Sequence, residues 1–329
     1  MFLSFLNKKH CRRLVVILAA CLMMGVWMGF DVAREREADG LADAAASKQT
    51  NAKKKQSKPK YKYQLAIAAI FQNDAAYLQE WIEFHRLVGV EHFFLYNNLS
   101  VDNYKEVLKP YIASGVVELI DWPYSYVTLK EWNRIQRAAY DDALAHAKNK
   151  VKWLAAIDTD EFVFPVQGKN LAEFLFQYEE YGGLAVNWVV FGTSGVHWMP
   201  GSQLLTEALV LRGSESLRIN MHIKSIVRPE RVAGAGPDPH TFSYKKGYGQ
   251  VNANKEAFSG PFSPYAAIDK VRINHYSYRD ENYFHQVKIP RFKKWGVDTT
   301  NVEATMQESN QILDLAIEKY LLELRARLF

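Results

Sequence analysis

The stretch "WLAAIDTDEFVFP", Trp153–Pro165, runs five largely apolar residues into Asp158, Asp160 and Glu161, then straight back into Phe162, Phe164 and Pro165. A short continuous apolar run bounded in this way reads as a buried strand. Acids at its end lie where open α/β sheets take their ligands, just beyond the carboxyl ends of the strands. On extended backbone, residues two apart point to the same side. That placement suits one of them to a Mg²⁺ or Mn²⁺ ion and the other to a sugar hydroxyl or the metal's water shell, since hard cations take oxygen ligands and bridge carboxylates to substrate phosphates. In the plainer reading Asp158 caps the following turn and the other acids are solvated. The apolar residues that follow weigh against it, because three unpaired carboxylates beside a buried segment are costly without a cation.

Outward from this strand, apolar runs and helical spacing alternate. "QLAIAAIF" (64–71), "EHFFLY" (91–96) and "VVELID" (116–121) are strand-length runs, and "LAVNWVV" (184–190) is a fifth. Between them, 75–88 carries Leu78, Trp81, Ile82, His85 and Val88 at helical spacing and stops at Gly89. Residues 102–115 and Leu129–Ala147 read as two further helices, and 302–329 as a C-terminal one. Strand and helix alternating four times predict a parallel sheet with right-handed crossovers, flanked by helices. No GxGxxG follows the first strand and no GxxxxGK[ST] occurs anywhere, so a bound nucleotide needs another means of neutralising its phosphates.

The formal charge of +5 divides unevenly: residues 1–63 hold 13 Lys and Arg against 5 Asp and Glu, and the remainder holds 28 against 31. A mildly acidic body argues against a nucleic-acid groove, which needs clustered positive charge. Cys11 and Cys21 both precede the body, which therefore has no thiol for a disulfide, a zinc site or a nucleophile. After four cations in residues 1–13 come 17 uncharged residues, Leu14–Phe30, close to the minimum that spans a bilayer. They read as a signal anchor with a cytoplasmic N-terminus, giving a single-pass, type II-like membrane protein. A cleaved signal peptide is the competitor, with "LAAC" (18–21) as its box, but the apolar run continues past Cys21. Residues 31–63 read as a flexible basic stalk, and 64–329 as the catalytic domain.

The run from Ala69 in "AIFQNDAAYLQEW" to "LIDWP", then "WLAAIDTDEFVFP", "NWVVFGTSG", "HIKSIVRP" and "RINHYSYRD", resembles glycosyltransferase family 92 and its bacterial relatives in the family 2-like superfamily. The resemblance covers about residues 64–290, with several separated motifs in order. It implies a GT-A fold, a nucleotide-sugar donor, most simply UDP-linked, a glycan or glycoconjugate acceptor, and an inverting transfer helped by Mn²⁺ or Mg²⁺. In that frame Asp160 ligates the metal, Asp158 lies near the metal and the ribose, Glu161 supports them, and His275 of "NHY" completes the metal site. Asn73 and Asp74 of "FQND" face the nucleotide, though either could equally cap a helix. Asn97 stands where relatives carry an acid that accepts from uracil; it accepts through its carbonyl but also donates. Asp102 keeps the later acid of that motif.

Lys224, alternating with His222 and Arg228 along a strand, could steady the diphosphate oxygens, and an exposed sheet face explains the pattern equally well. Inversion needs a single general base. Glu207, after the glycine loop "FGTSG", is the first choice, with His197, Asp238 and His240 as alternatives. Two rival classes are a metal-dependent phosphohydrolase, which would show acids at several strand ends, and a non-catalytic carbohydrate-binding module. The anchor sets a Golgi location in a eukaryote and an inner-membrane one in a bacterium.

Overall fold

The computed structural model describes residues 60–329. The anchor expected over 14–30 and most of the stalk lie outside the described residues, among which no helix is long and apolar enough to cross a membrane. The body begins slightly earlier than the sequence suggests. Tyr61 is already buried, its hydroxyl on Glu230, and the first strand starts at Tyr63.

The principal strands are β1 (Tyr63–Phe71), β2 (His92–Asn97), β3 (Val117–Asp121), β4 (Val151–Ala156), β5 (Glu161–Pro165), β6 (Gly183–Val190), β7 (Ile223–Val227) and β8 (Val271–His275). They form one sheet in the order β3-β2-β1-β4-β7-β6-β8-β5. The first four strands are mutually parallel; β7 is antiparallel to β4 and β6, and β5 is antiparallel to β8. The result is a mixed α/β fold. Alternation along β1 shows why its apolar run is unbroken: Leu65, Ile67, Ala69 and Phe71 enter one core, and Ala66, Ala68 and Ile70 enter the other.

Helices α1 (Ala75–Leu87) and α2 (Tyr104–Ala113) cover the first face, and α3 (Leu129–Ala147) the second. A capping box starts α3: the Thr128 side chain accepts from the Glu131 amide while Glu131 reaches back to the Thr128 amide. α1 ends at Gly89, whose φ of +99° and contact with Asn170, 2.7 Å from where a Cβ would sit, exclude a larger residue.

The expected single C-terminal helix is broken. A helix ends at Glu308, Ile312–Leu313 pairs as a short strand with Leu211–Arg212, and a last helix spans Leu321–Leu328. Asp314 explains the interruption, since it turns inward to meet Arg212 and Arg272 at 2.6 and 2.5 Å.

Candidate active site

The quoted stretch is a strand, a turn and a second strand. Asp158, Thr159 and Asp160 occupy the turn between β4 and β5, which is closed by the Glu161 amide on the Asp158 carbonyl (3.1 Å) and by the Asp158 amide on Glu161 Oε2 (2.9 Å). The backbone there is therefore not extended, which corrects the expectation that both aspartates point one way. They have separate partners. β5 lies antiparallel to β8, with Glu161 opposite His275, and the Tyr276 amide donates to the Asp160 carbonyl at 2.9 Å. This pairing sets His275 Nε2 3.5 Å from Asp160 Oδ1.

Asp158 turns the other way. Its Oδ1 accepts from Gln136 Nε2 (2.6 Å) and its Oδ2 from Lys224 Nζ (2.8 Å). Lys224 is 1% exposed and also lies 3.8 Å from Glu161. Burial alone would lower its ammonium pKa, but Asp158, Glu161 and Tyr140 together raise it above the ordinary lysine value. Lys224 thus neutralises the buried acids instead of meeting a diphosphate, a correction to its expected role. Burial pushes the Glu161 carboxyl well above its ordinary value despite Lys224. Burial acts in the same sense on Asp160, but His275, then Arg279 and Lys288, outweigh it and hold that carboxyl below the usual range.

The turn opens onto a cleft of about 290 Å³. Asp74, Asp158, Thr159, Asp160 and His275 line it; so do Arg279, Lys288, Arg291, Trp188 and His240, with Tyr126, Trp132 and Trp295 as an aromatic wall. Asp74 is held by Thr159 Oγ1 (2.8 Å) and Arg279 Nη2 (2.7 Å). The Arg279 guanidinium lies against the rings of Tyr77 and Tyr283, 3.9 and 4.3 Å from their centroids, with Nε and Nη1 lacking partners. Lys288 donates to the Ser277 carbonyl at 2.8 Å, and burial brings its ammonium pKa down to about 8 against the pull of Asp160.

Asn73, Asn97 and Asp102 do not line the cleft. Asn73 has a φ of +57°, and its Oδ1 accepts from the Val101 amide (2.8 Å). Asn97 accepts from the Ser100 amide (3.0 Å) and donates to the Tyr104 hydroxyl (2.8 Å). Asp102 accepts from the Ala75 amide (2.8 Å), satisfying the start of α1 from a neighbouring loop. These three residues join two loops. Glu207 is also outside, ion-paired at the surface with Arg325, and His197 is exposed beside Glu281. Of the proposed bases, only His240 lines the cleft.

Among the described residues no three His, Cys, Asp or Glu converge as a metal site. With Asp158 engaged, the expected trio reduces to Asp160 and His275. Two protein ligands suit Mn²⁺ or Mg²⁺ when water and substrate phosphate supply the others. The sequence reading did not single out Arg279, Lys288 or Arg291. Arg279 lay inside a quoted motif, and a count of cations within residues 279–291 would have pointed to the other two.

Comparison with known proteins places these features. The chain is 27% identical to a glycosyltransferase family 92 protein of Ricinus communis over 245 residues, 73% of this chain and 40% of that protein. It is 28% identical to one of Arabidopsis thaliana over 259 residues, 74% of this chain and 40% of that protein. A beta-1,4-galactosyltransferase of Caenorhabditis elegans matches at 31% over 110 residues, 32% of this chain and 26% of that protein. The chain thus spans less than half the length of these relatives. The model of glycosyltransferase family 92 matches residues 61–311, a span that contains every residue lining the cleft, and the chain belongs to that family.

Proposed function

We propose that the chain is an inverting, metal-assisted glycosyltransferase of GT-A type, moving a sugar from a UDP-linked donor to a hydroxyl of a glycan or glycoconjugate. The observation that carries this is the cleft at the strand ends, where Asp160 and His275 face each other at 3.5 Å beside Arg279, Lys288 and Arg291. Family membership supports the reaction class. The name of the Caenorhabditis relative supports inversion, since making a β-bond from an α-linked nucleotide sugar inverts the anomeric carbon.

Asp160 and His275 would hold Mn²⁺ or Mg²⁺, which when bound neutralises charge on the departing diphosphate. Arg279, Lys288 and Arg291 meet the diphosphate oxygens directly, replacing the missing phosphate loop with charge-assisted hydrogen bonds. Gln136 and Lys224 fix Asp158 in one rotamer at the mouth of the cleft, where its exposed edge can accept from the donor's ribose. Residues 14–30 would hold the protein in a membrane as a single-pass anchor.

The test is calorimetric titration of the full chain with UDP and GDP, with and without Mn²⁺. Expected is nucleotide binding that strengthens with Mn²⁺, and an Asp160→Asn variant that folds normally, loses the Mn²⁺ response and transfers sugar about 100-fold more slowly or worse. No binding of either nucleotide under any condition would overturn the assignment.

A further inference from the structure

We propose that His240 is the general base of the transfer, taking the acceptor hydroxyl's proton at Nε2. The proposal rests on the glycosyltransferase reading above and supplies the base that reading leaves open. The acids lining the cleft already have partners or an assigned role. Both oxygens of Asp74 accept hydrogen bonds from Thr159 and Arg279, and both oxygens of Asp158 from Gln136 and Lys224. Asp160 faces His275 at 3.5 Å, the pair assigned above to the metal. Lys288 donates to the Ser277 carbonyl at 2.8 Å and is assigned above to the diphosphate.

His240 is placed differently. Its Nδ1 lies 2.8 Å from the Ile223 carbonyl, which can only accept, so the ring proton sits on Nδ1 and Nε2 keeps its lone pair. The backbone is pinned on both sides: the His240 amide donates to Asp238 Oδ1 (2.8 Å), and Ser225 Oγ donates to the His240 carbonyl (2.8 Å). The ring stands edge-on to Trp188 at 5.1 Å, while His275 packs on the same indole at 4.3 Å. One tryptophan therefore orients both histidines. Burial, then the Lys224 charge, keeps the His240 ring neutral, with His222 and His275 acting in the same sense.

The step balances. As the acceptor oxygen bonds to the anomeric carbon of the nucleoside-diphosphate sugar, the bond from that carbon to the diphosphate oxygen breaks, and its electron pair leaves with the diphosphate. The acceptor's proton passes to Nε2. The resulting imidazolium lies 4.0 Å from Asp238 Oδ1, the nearest opposing charge, and returns its proton to water.

The experiment uses the full chain and His240→Asn, whose amide can keep the bond to the Ile223 carbonyl but offers no basic nitrogen. Initial rates of nucleoside diphosphate release are measured from a panel of UDP- and GDP-sugars with p-nitrophenyl glycosides as acceptors, alongside UDP and GDP affinity. The expected result is a kcat lower by about 100-fold or more, the range of general-base catalysis, with nucleotide affinity within about threefold of wild type. Transfer within threefold of wild type overturns the proposal, as does a loss of nucleotide affinity that accounts for the lost rate. If His240→Asn melts early, His240→Gln carries the same test. A wild-type chain that neither binds a nucleotide nor turns over any donor fails in a distinguishable way, taking down the glycosyltransferase reading itself.

Discussion

Asp158 and Asp160 are two residues apart and both line the cleft, yet their partners differ: Lys224 meets Asp158, and His275 meets Asp160. Lys224 lies 2.8 Å from Asp158 and 3.8 Å from Glu161, which has no exposed surface. Replacing it by Met removes the counter-charge of two acids and should destabilise the fold by about 3–5 kcal/mol, read from urea unfolding at pH 7. The pH dependence has a definite sign. Burial already holds the Glu161 value above its unfolded one, and without Lys224 it rises further. A raised value stabilises fully below the unfolded pKa and is lost as pH climbs through the folded one. Lys224→Met should therefore be more stable at pH 5 than at pH 8; equal stability at both would show that Glu161 is not the group left unpaired. None of this was legible in the sequence. Lys224 read as a phosphate ligand because a lysine on a strand gives no sign of which acid it will face.

At the scale of elements the sequence was more informative. The apolar runs placed the first four strands to within a residue or two, and the spacing of Leu129–Ala147 gave α3 its observed ends because a capping box begins it. What periodicity could not show is how β5 joins the sheet, since an antiparallel edge beside β8 depends on contacts more than a hundred residues away. His85 is one of the links that hold β5 to α1. It has no exposed surface; its Nδ1 lies 2.8 Å from the Trp81 carbonyl, and its Nε2 accepts from the Val163 amide at 3.3 Å. Burial lowers its pKa to about 3. A histidine depressed below its unfolded value of about 6.5 contributes stability above that pH and loses it as pH falls, by at most about 1.4 kcal/mol per unit. The urea midpoint should thus fall between pH 6.5 and pH 4. A His85→Phe variant, less stable at pH 7 with the Val163 amide unpaired, should show a shallower fall. An unchanged slope would mean that other groups carry the acid sensitivity.

The whole molecule draws its cleft from both halves of the sheet, and this is why the site was only half legible. The acids announced themselves in one stretch, whereas the cations lie more than a hundred residues later, Arg279 in the loop after β8 and Lys288 and Arg291 in the short helical segments Phe284–Lys288 and Ile289–Lys294. The same dependence on distant segments appears at the C-terminal end. The family match stops at residue 311, but the packing does not. Ile317, Tyr320 and Leu324 are at most 2% exposed in the main core. Asp314 pairs with Arg212 and Arg272, and Lys319 Nζ donates to the carbonyls of Pro165, Val166 and Gly168 at 2.7–2.8 Å, fastening the far end of β5. Burying one such apolar side chain contributes about 1.5–3 kcal/mol. Losing three of them approaches the roughly 5–15 kcal/mol that holds a domain together, before counting two arginines left without their acid. A chain ending at Gln311 should therefore show no cooperative thermal transition by circular dichroism. Removing only Phe329, which is 72% exposed, should change stability by less than about 0.5 kcal/mol. A Gln311-terminated chain melting cooperatively within about 5 °C of the full chain, a shift worth on the order of 1–2 kcal/mol, would show that the last 18 residues are an appendage and not part of the fold.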